Sequence, residues 1–225
     1  MRFLLIRHGE TLSNLTGALD TAAPGAPLTA RGLAQAAALG PALREEGVVA
    51  IYSSPLLRAK ITADTLAEAL GLEALVHPGL VEIGAGDLEM RTDEDATLRY
   101  VEYMLRWMQG DLAFEIPGST TGAEFLDSFT AALTWIADEQ SARSPVAVVT
   151  HGAAMRVFVA LRAGLGVRDT ERMWVENTGM AALEFNAPDD WTLTRWEPEP
   201  LGGAHLRSQD GGGEDVPPAN LAALA

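Results

Sequence analysis

Short, uninterrupted apolar runs alternate along this chain with longer stretches of helical periodicity, and that alternation constrains the fold more than any other feature. Phe3-Leu4-Leu5-Ile6 and Val146-Ala147-Val148-Val149 contain no polar residue, as strands buried on both faces of a parallel sheet require. Further strands are expected at 48–52, 180–185 and 192–196, with a short extended piece at 74–76, and one of the two closing strands should be antiparallel. Thr29 is placed to cap a helix that buries Leu33, Ala36, Ala37 and Leu43. Ser54 is placed to cap a second helix, with Pro55 at its first position, Leu56, Ala59, Ala63, Leu66 and Leu70 on one face and a stop at Gly71. Helical spacing recurs over 92–108, 122–142 and 153–165. Strands alternating with helices in this way predict an α/β fold, a mainly parallel central sheet flanked by helices on both faces, with right-handed connections.

The 225 residues suit one domain, expected over 1–197, with a helical cap insertion near 91–118 and a Gly/Pro-rich, mobile tail over 198–225. No residue is Cys, which excludes disulfide scaffolds, Cys zinc sites, iron–sulfur clusters and thiol nucleophiles together and agrees with a reducing compartment. No apolar run reaches the length of a signal core or a membrane span, so a soluble cytoplasmic protein is expected. The formal net charge of −15, from 16 Lys+Arg against 31 Asp+Glu, disfavours nucleic acid and anionic membranes as partners. Any anion that binds must be met by a local cluster of cations.

Ligands of open α/β sheets bind outside the carboxyl ends of the strands, and three polar clusters fall at such ends. Arg7-His8-Gly9-Glu10-Thr11 follows the first strand, Ser53 to Arg58 the second, and Thr150-His151-Gly152 the strand at 146–149. Singly, each has a structural explanation: a satisfied histidine at a strand end, or an arginine in a surface ion pair. Two histidines, His8 and His151, each followed by Gly at a strand end, point further. Glycine allows another group to approach the backbone, and the second one opens a helix whose amides could hold an anion.

In combination these pieces resemble the histidine phosphatase superfamily, also called the phosphoglycerate mutase-like family. Arg7-His8-Gly9-Glu10-Thr11 with Asn14 is similar to its signature. Similar too are Pro27-Leu28-Thr29 with Gly32 and Gln35-Ala36, Ser53-Ser54-Pro55-Leu56-Leu57-Arg58-Ala59 with Thr62-Ala63, Glu82-Ile83 with Gly86 and Glu89, Val149-Thr150-His151-Gly152, and Asn177-Thr178-Gly179. The resemblance implies that His8 attacks phosphorus and becomes phosphohistidine, that Arg7, Arg58 and His151 form a positive wall around the phosphoryl group, and that Glu82 is the general acid, with Glu89 as the competing carboxylate. Asn14, the Thr11 hydroxyl and an amide near Ala153 would add neutral donors. No metal and no other cofactor are implied, and the site has two histidines but neither the paired carboxylates nor the His-x-x-x-His helix that a hydrolytic metal centre would suggest.

The chain departs from the family pattern in its substrate-facing loops. Leu88 and Met90 stand where a Trp and a Gly are common, and Gly122-Ala123-Glu124-Phe125 replaces a Gly-Gly-Glu-Ser run. In the cap, Arg91, Arg99 and Arg106 are candidates for a second acidic group or for pairing with nearby acids, while Tyr100, Tyr103, Trp107 and Met108 read as helix packing. The expected activity is metal-independent hydrolysis of a small phosphorylated metabolite. The alternatives are a phosphoglycerate mutase, disfavoured because the segment from Asn14 to Leu28 has no Lys or Arg, and a catalytically silent phosphate- or phosphoprotein-binding module, which would need neither His8 nor Glu82.

Overall fold

The computed structural model describes residues 1–140, 145–165 and 173–208. Its elements, in chain order, are β1 (Arg2–Arg7), α1 (Leu12–Thr16), α2 (Ala30–Leu43), β2 (Ala50–Ser53), α3 (Leu57–Leu70), β3 (Ala74–Val76), α4 (Glu94–Met108), α5 (Gly122–Glu139), β4 (Val146–Thr150), α6 (Gly152–Arg162), β5 (Met180–Ala187) and β6 (Asp190–Glu197). They build a sheet of order β3-β2-β4-β1-β5-β6. The first four strands run parallel, and β5 and β6 are each antiparallel to their neighbours. This is the mainly parallel α/β sheet, covered on both faces, that the apolar runs predict.

Strand alternation divides the core between the two faces. Phe3, Leu5, Tyr52, Val146, Val148, Ala181 and Leu183 pack with residues of α4, α5 and α6 on one side. Leu4, Ile6, Ile51, Ala147, Val149, Met180 and Ala182 pack against α2 and α3 on the other. A strand sandwiched in this way tolerates no polar position, which is why β1 and β4 read as unbroken hydrophobic words.

The register sets the functional rim. Arg7 pairs with Thr150 and Ser53 with Val149, so β1, β2 and β4 end side by side. His8 continues the ladder through its amide to the Thr150 carbonyl at 3.0 Å, and Ser54 does so to Val149 at 3.0 Å.

Three local expectations are corrected. Helix α3 starts at Leu57, not at Pro55, and its N-cap Leu56 makes no side-chain cap bond. The Ser54 hydroxyl takes only the Leu56 amide, at 3.3 Å, and its short contact goes to His151 instead. On α2, Leu33 is 48% exposed and Ala37 also faces solvent; Gly32, Gln35, Ala36, Leu39, Gly40 and Leu43 are the buried face. The cause is close backbone approach at two glycines: a Cβ on Gly32 would strike the Glu10 carbonyl and one on Gly40 the Ala69 methyl. Helix α2 is therefore seated on its small residues, and Leu33 turns outward. Finally, residues 198–208, assigned by composition to a mobile tail, are packed. Ser208 donates to Glu10 Oε2 at 2.6 Å, and Gln35 to the Leu206 carbonyl at 2.8 Å. The remainder of that tail, with its Gly211-Gly212-Gly213 and Pro217-Pro218 signals, lies outside the described residues.

In the 91–118 segment the aromatic residues pack as expected. Trp107 stacks on Phe125 with ring centroids 6.0 Å apart and leaves room for no side chain at Gly122, and the Tyr100 hydroxyl donates to the Ile83 carbonyl at 2.6 Å. The arginines pair with acids: Arg91 with Asp93 at 2.5 Å, Arg99 with Asp95 at 3.1 Å and Arg106 with Asp111 at 2.7 Å. No helix among the described residues is long and apolar enough to cross a membrane.

Candidate active site

His8, Arg7, Arg58, Glu82 and His151 are all buried, none more than 4% exposed, and they converge at the ends of β1, β2 and β4. The rings of His8 and His151 lie 5.2 Å apart, edge to face. A cluster of this composition far from water is unfavourable unless each group is held by a specific partner, and most of the partners are visible.

The His8 Nδ1 lies 2.8 Å from the Gly9 carbonyl and its Nε2 2.9 Å from Arg58 Nε. A carbonyl can only accept and a guanidinium can only donate. His8 is therefore neutral, protonated on Nδ1, with a lone pair on Nε2. Burial first, then the charges of Arg58 and Arg7, push its pKa well below the usual imidazole range, against the smaller opposing effect of Gly9. The loop that carries it is fixed by its neighbours. The Gly9 amide donates to Thr62 Oγ1 at 3.0 Å, Thr62 donates to the Arg58 carbonyl at 2.7 Å, and Asn177 Nδ2 donates to the His8 carbonyl at 3.0 Å. Gly9 is required here, because a Cβ would lie 2.6 Å from the Gly32 carbonyl oxygen.

Arg58 spends its Nε on His8, while its two terminal nitrogens are buried without a hydrogen-bond partner among the described residues. The nearest carboxylate, Asp20, stands 4.0 Å from Nη1, beyond hydrogen-bond reach, and is itself engaged by Ser13 at 2.7 Å and the Ala26 amide at 2.9 Å. Arg7 donates to the Val175 carbonyl at 2.6 Å. A planar fork with two unsatisfied donors in a buried site matches the oxygens of a phosphoryl group.

His151 departs from the expected positive wall. Burial, followed by Arg58, His8 and Arg7, lowers its pKa well below the imidazole range, so it is neutral beside the two arginines. Its Nε2 meets the Ser54 hydroxyl at 2.7 Å, while its buried Nδ1 has no partner among the described residues. Arg7 and Arg58 carry the fixed positive charge, and His151 contributes hydrogen-bonding nitrogens.

Glu82 and Glu89, indistinguishable by residue type, are separated by their surroundings. Glu82 Oε1 accepts from the Ile83 amide at 2.9 Å and the Ala154 amide at 2.8 Å, and Oε2 accepts from Ala153 at 3.3 Å. The first turn of α6 thus holds the chain's own carboxyl. Burial still outweighs these bonds and the Arg58 charge, so the Glu82 pKa is raised above the usual carboxylate range. Glu89 instead ties the loop after α1, accepting from the amides of Thr21 and Ala22 at 2.9 Å each and from the Thr21 hydroxyl.

Two of the expected neutral donors are otherwise occupied. Thr11 is the N-cap of α1 and exchanges its hydroxyl with Asn14 in a capping box, and the Ala153 amide points to Glu82. Asn14 Oδ1 takes the Thr11 amide and hydroxyl and Asn177 Nδ2, at 3.0, 3.1 and 3.3 Å. Reasoning from sequence assigned no role to Asn177 or to the Ser54–His151 contact. Position in the Asn177-Thr178-Gly179 motif was the signal for the first; for the second, nothing local distinguishes Ser54 from a helix cap.

The sequence matches the model of the histidine phosphatase superfamily, branch 1, over residues 3–198. The PE-PGRS family protein PE_PGRS11 of Mycobacterium tuberculosis is 35% identical over 89% of this chain, and this chain spans 37% of that relative. A probable phosphoglycerate mutase GpmB of Yersinia enterocolitica is 28% identical, over 92% of this chain and 95% of the relative. Among solved structures, the alpha-ribazole phosphatase of Shigella flexneri superposes with a TM-score of 0.68 at 28% identity, covering 88% of this chain and 96% of that one. The mycobacterial glucosyl-3-phosphoglycerate phosphatase gives 0.73 at 23% identity, covering 88% and 99%, and so shares the fold. With the motifs, their convergence at one rim and the match along nearly the whole chain, this protein belongs to the histidine phosphatase superfamily and is an enzyme of the phosphoric monoester hydrolase type.

Proposed function

We propose that this protein hydrolyses small phosphomonoesters through a phosphohistidine formed at His8, without a metal ion and in the cytoplasm. The observation that carries the reading is the orientation of His8: its Nε2 carries the lone pair and accepts from Arg58 Nε, whose two terminal nitrogens are buried without a partner among the described residues, while Nδ1–H is locked onto the Gly9 carbonyl. In the first step a bond forms from Nε2 to phosphorus while the P–O ester bond breaks, its electron pair passing to the departing alkoxide. The Glu82 proton goes to that alkoxide. In the second step water adds to phosphorus, the P–N bond returns its electrons to Nε2, and the Glu82 carboxylate takes the proton from water. Arg58 and Arg7 meet the charge on the equatorial oxygens, the kind of electrostatic clamp that dominates phosphoryl transfer. Among the described residues, no group of three or more His, Cys, Asp or Glu side chains comes together to hold a metal, so on this reading neutralisation falls to the arginines.

The mutase reading draws on the names of the GpmB relatives. It requires further cations for a second anionic group, and the cap arginines Arg91, Arg99 and Arg106 are paired with Asp93, Asp95 and Asp111. The test is phosphate release across a panel of phosphorylated metabolites, with rapid alkaline quenching to trap phosphoenzyme. Turnover with an acid-labile adduct that disappears in His8→Ala, unaffected by chelators, is expected. A His8→Ala protein that retains turnover would sink the mechanism, and interconversion of 2- and 3-phosphoglycerate dependent on a bisphosphate primer would favour the mutase.

A further inference from the structure

A cavity of about 260 Å³ opens beside Glu82, between the acid-bearing loop and the start of α5. Its polar lining comes from the hydroxyls of Ser119, Thr120 and Ser128 together with Glu82 and Glu124, and Val81 and Phe125 supply apolar wall. Among the described residues none of the three hydroxyls hydrogen-bonds to another protein group. Glu124 uses Oε2 for the Thr121 amide and hydroxyl, both at 2.9 Å, which leaves Oε1 as an acceptor. The lining contains no Lys, Arg or His.

We propose that this cavity receives the alcohol portion of the substrate and selects an uncharged, hydroxyl-rich leaving group about the size of one sugar ring. The inference rests on the phosphatase reading above and deepens it by naming the class of ester. Three arguments lead to it. The cavity shares Glu82 with the candidate active site, so a group held there lies against the residue that carries the acid. Its volume lies just below the ~300–1,000 Å³ usual for small-molecule sites, enough for a single ring and too little for a dinucleotide. Its chemistry is that of a polyol partner: rotatable hydroxyls that both donate and accept, plus a carboxylate acceptor. With the Glu124 carboxylate in the lining and no cation, a leaving group that carries its own carboxylate meets repulsion rather than a partner. Close packing fixes part of the wall, because a Cβ on Gly84 would collide with the Ser119 hydroxyl.

The experiment compares kcat/KM of the wild-type enzyme for hexose and pentose monophosphates, 3-phosphoglycerate and acetyl phosphate, whose leaving group is too small to need the cavity, then repeats it with Ser128→Trp and with Ser119→Ala. Ser128 lies on the exposed side of α5, so its indole fills the cavity without touching the histidines. Wild type should prefer the sugar esters over 3-phosphoglycerate by at least about tenfold. Ser128→Trp should cut the sugar esters by at least about tenfold, and Ser119→Ala by about three- to tenfold, while acetyl phosphate stays within about threefold for both. Equal losses on all substrates, or a preference for 3-phosphoglycerate, would overturn the assignment of the cavity with hydrolysis intact. A wild-type protein that cleaves none of the esters would overturn the phosphatase reading itself, and the cavity assignment with it.

Discussion

Arg58 Nε donates a 2.9 Å hydrogen bond to Nε2 of His8, the ring nitrogen that the Gly9 carbonyl leaves unprotonated. One guanidinium therefore holds the nucleophile's lone pair in place and keeps its pKa low, while its other two nitrogens are buried without a partner among the described residues. Substrate must take over that lone pair, and all three Arg58 nitrogens are then available to donate to phosphate oxygens.

Arg58→Ala should lower kcat by about 10²- to 10³-fold, the usual effect of removing one preorganised donor at an oxyanion. It should also move the acid limb of the kcat/KM profile to higher pH, because the charge that depresses the His8 pKa is gone. Arg58→Lys keeps the charge but not the fork, so it should retain the position of the limb and lose most of the rate. Steady-state kinetics from pH 4 to 9 separates the two effects, and an unmoved limb in Arg58→Ala would contradict the coupling.

Glu82→Gln should cost alkyl phosphates about 10²- to 10⁴-fold and p-nitrophenyl phosphate much less, since only the alkoxide needs a proton to depart. With the Glu82 pKa raised, the protonated form persists above the ordinary carboxylate range, and activity on alkyl esters should fall as pH rises through that raised value. A leaving-group plot with the same slope in both proteins would assign the acid elsewhere.

Stability should fall as the solution is acidified below about pH 6.5. The folded pKa values of His8 and His151 both lie well below the unfolded one, so in this range the unfolded chain binds more protons than the folded chain. Each histidine then removes about 1.4 kcal/mol per pH unit until its folded pKa is reached. Denaturant melts at pH 5 to 7.5 would show this, and His8→Asn should flatten the dependence. A melt that is level across this range would mean that the site takes up protons while folded.

Glu89→Gln should leave the leaving-group dependence unchanged and reduce stability by about 1 to 3 kcal/mol, through loss of charged hydrogen bonds to Thr21 and Ala22. Thermal melts read the stability, and kinetics on two leaving groups read the chemistry. If Glu89→Gln behaved like Glu82→Gln, the two carboxylates would have been assigned the wrong way round.

The strands and the identity of the rim were legible because each depends on residue type along a short window. β1 and β4 are apolar at every position that the two-sided core requires. Boundaries were less legible where a side chain had a better partner at a distance. Ser54 looks like a helix cap, yet its hydroxyl is drawn to His151, 97 positions away in sequence. Leu33 looks like a core position, yet the close approach of Gly32 to Glu10 rolls α2 so that it faces solvent.

By itself the sequence determined the α/β architecture and the set of groups that follow the strands, Arg7, His8, Arg58 and His151, because hydrophobic periodicity follows from local order. Only the tertiary structure decided which nitrogen of His8 carries the lone pair, that His151 is neutral, and that Glu82 rather than Glu89 sits against α6 with its pKa raised. Those properties come from burial and from charges brought together across more than a hundred residues, and electrostatic energy depends on distance in space rather than distance along the chain.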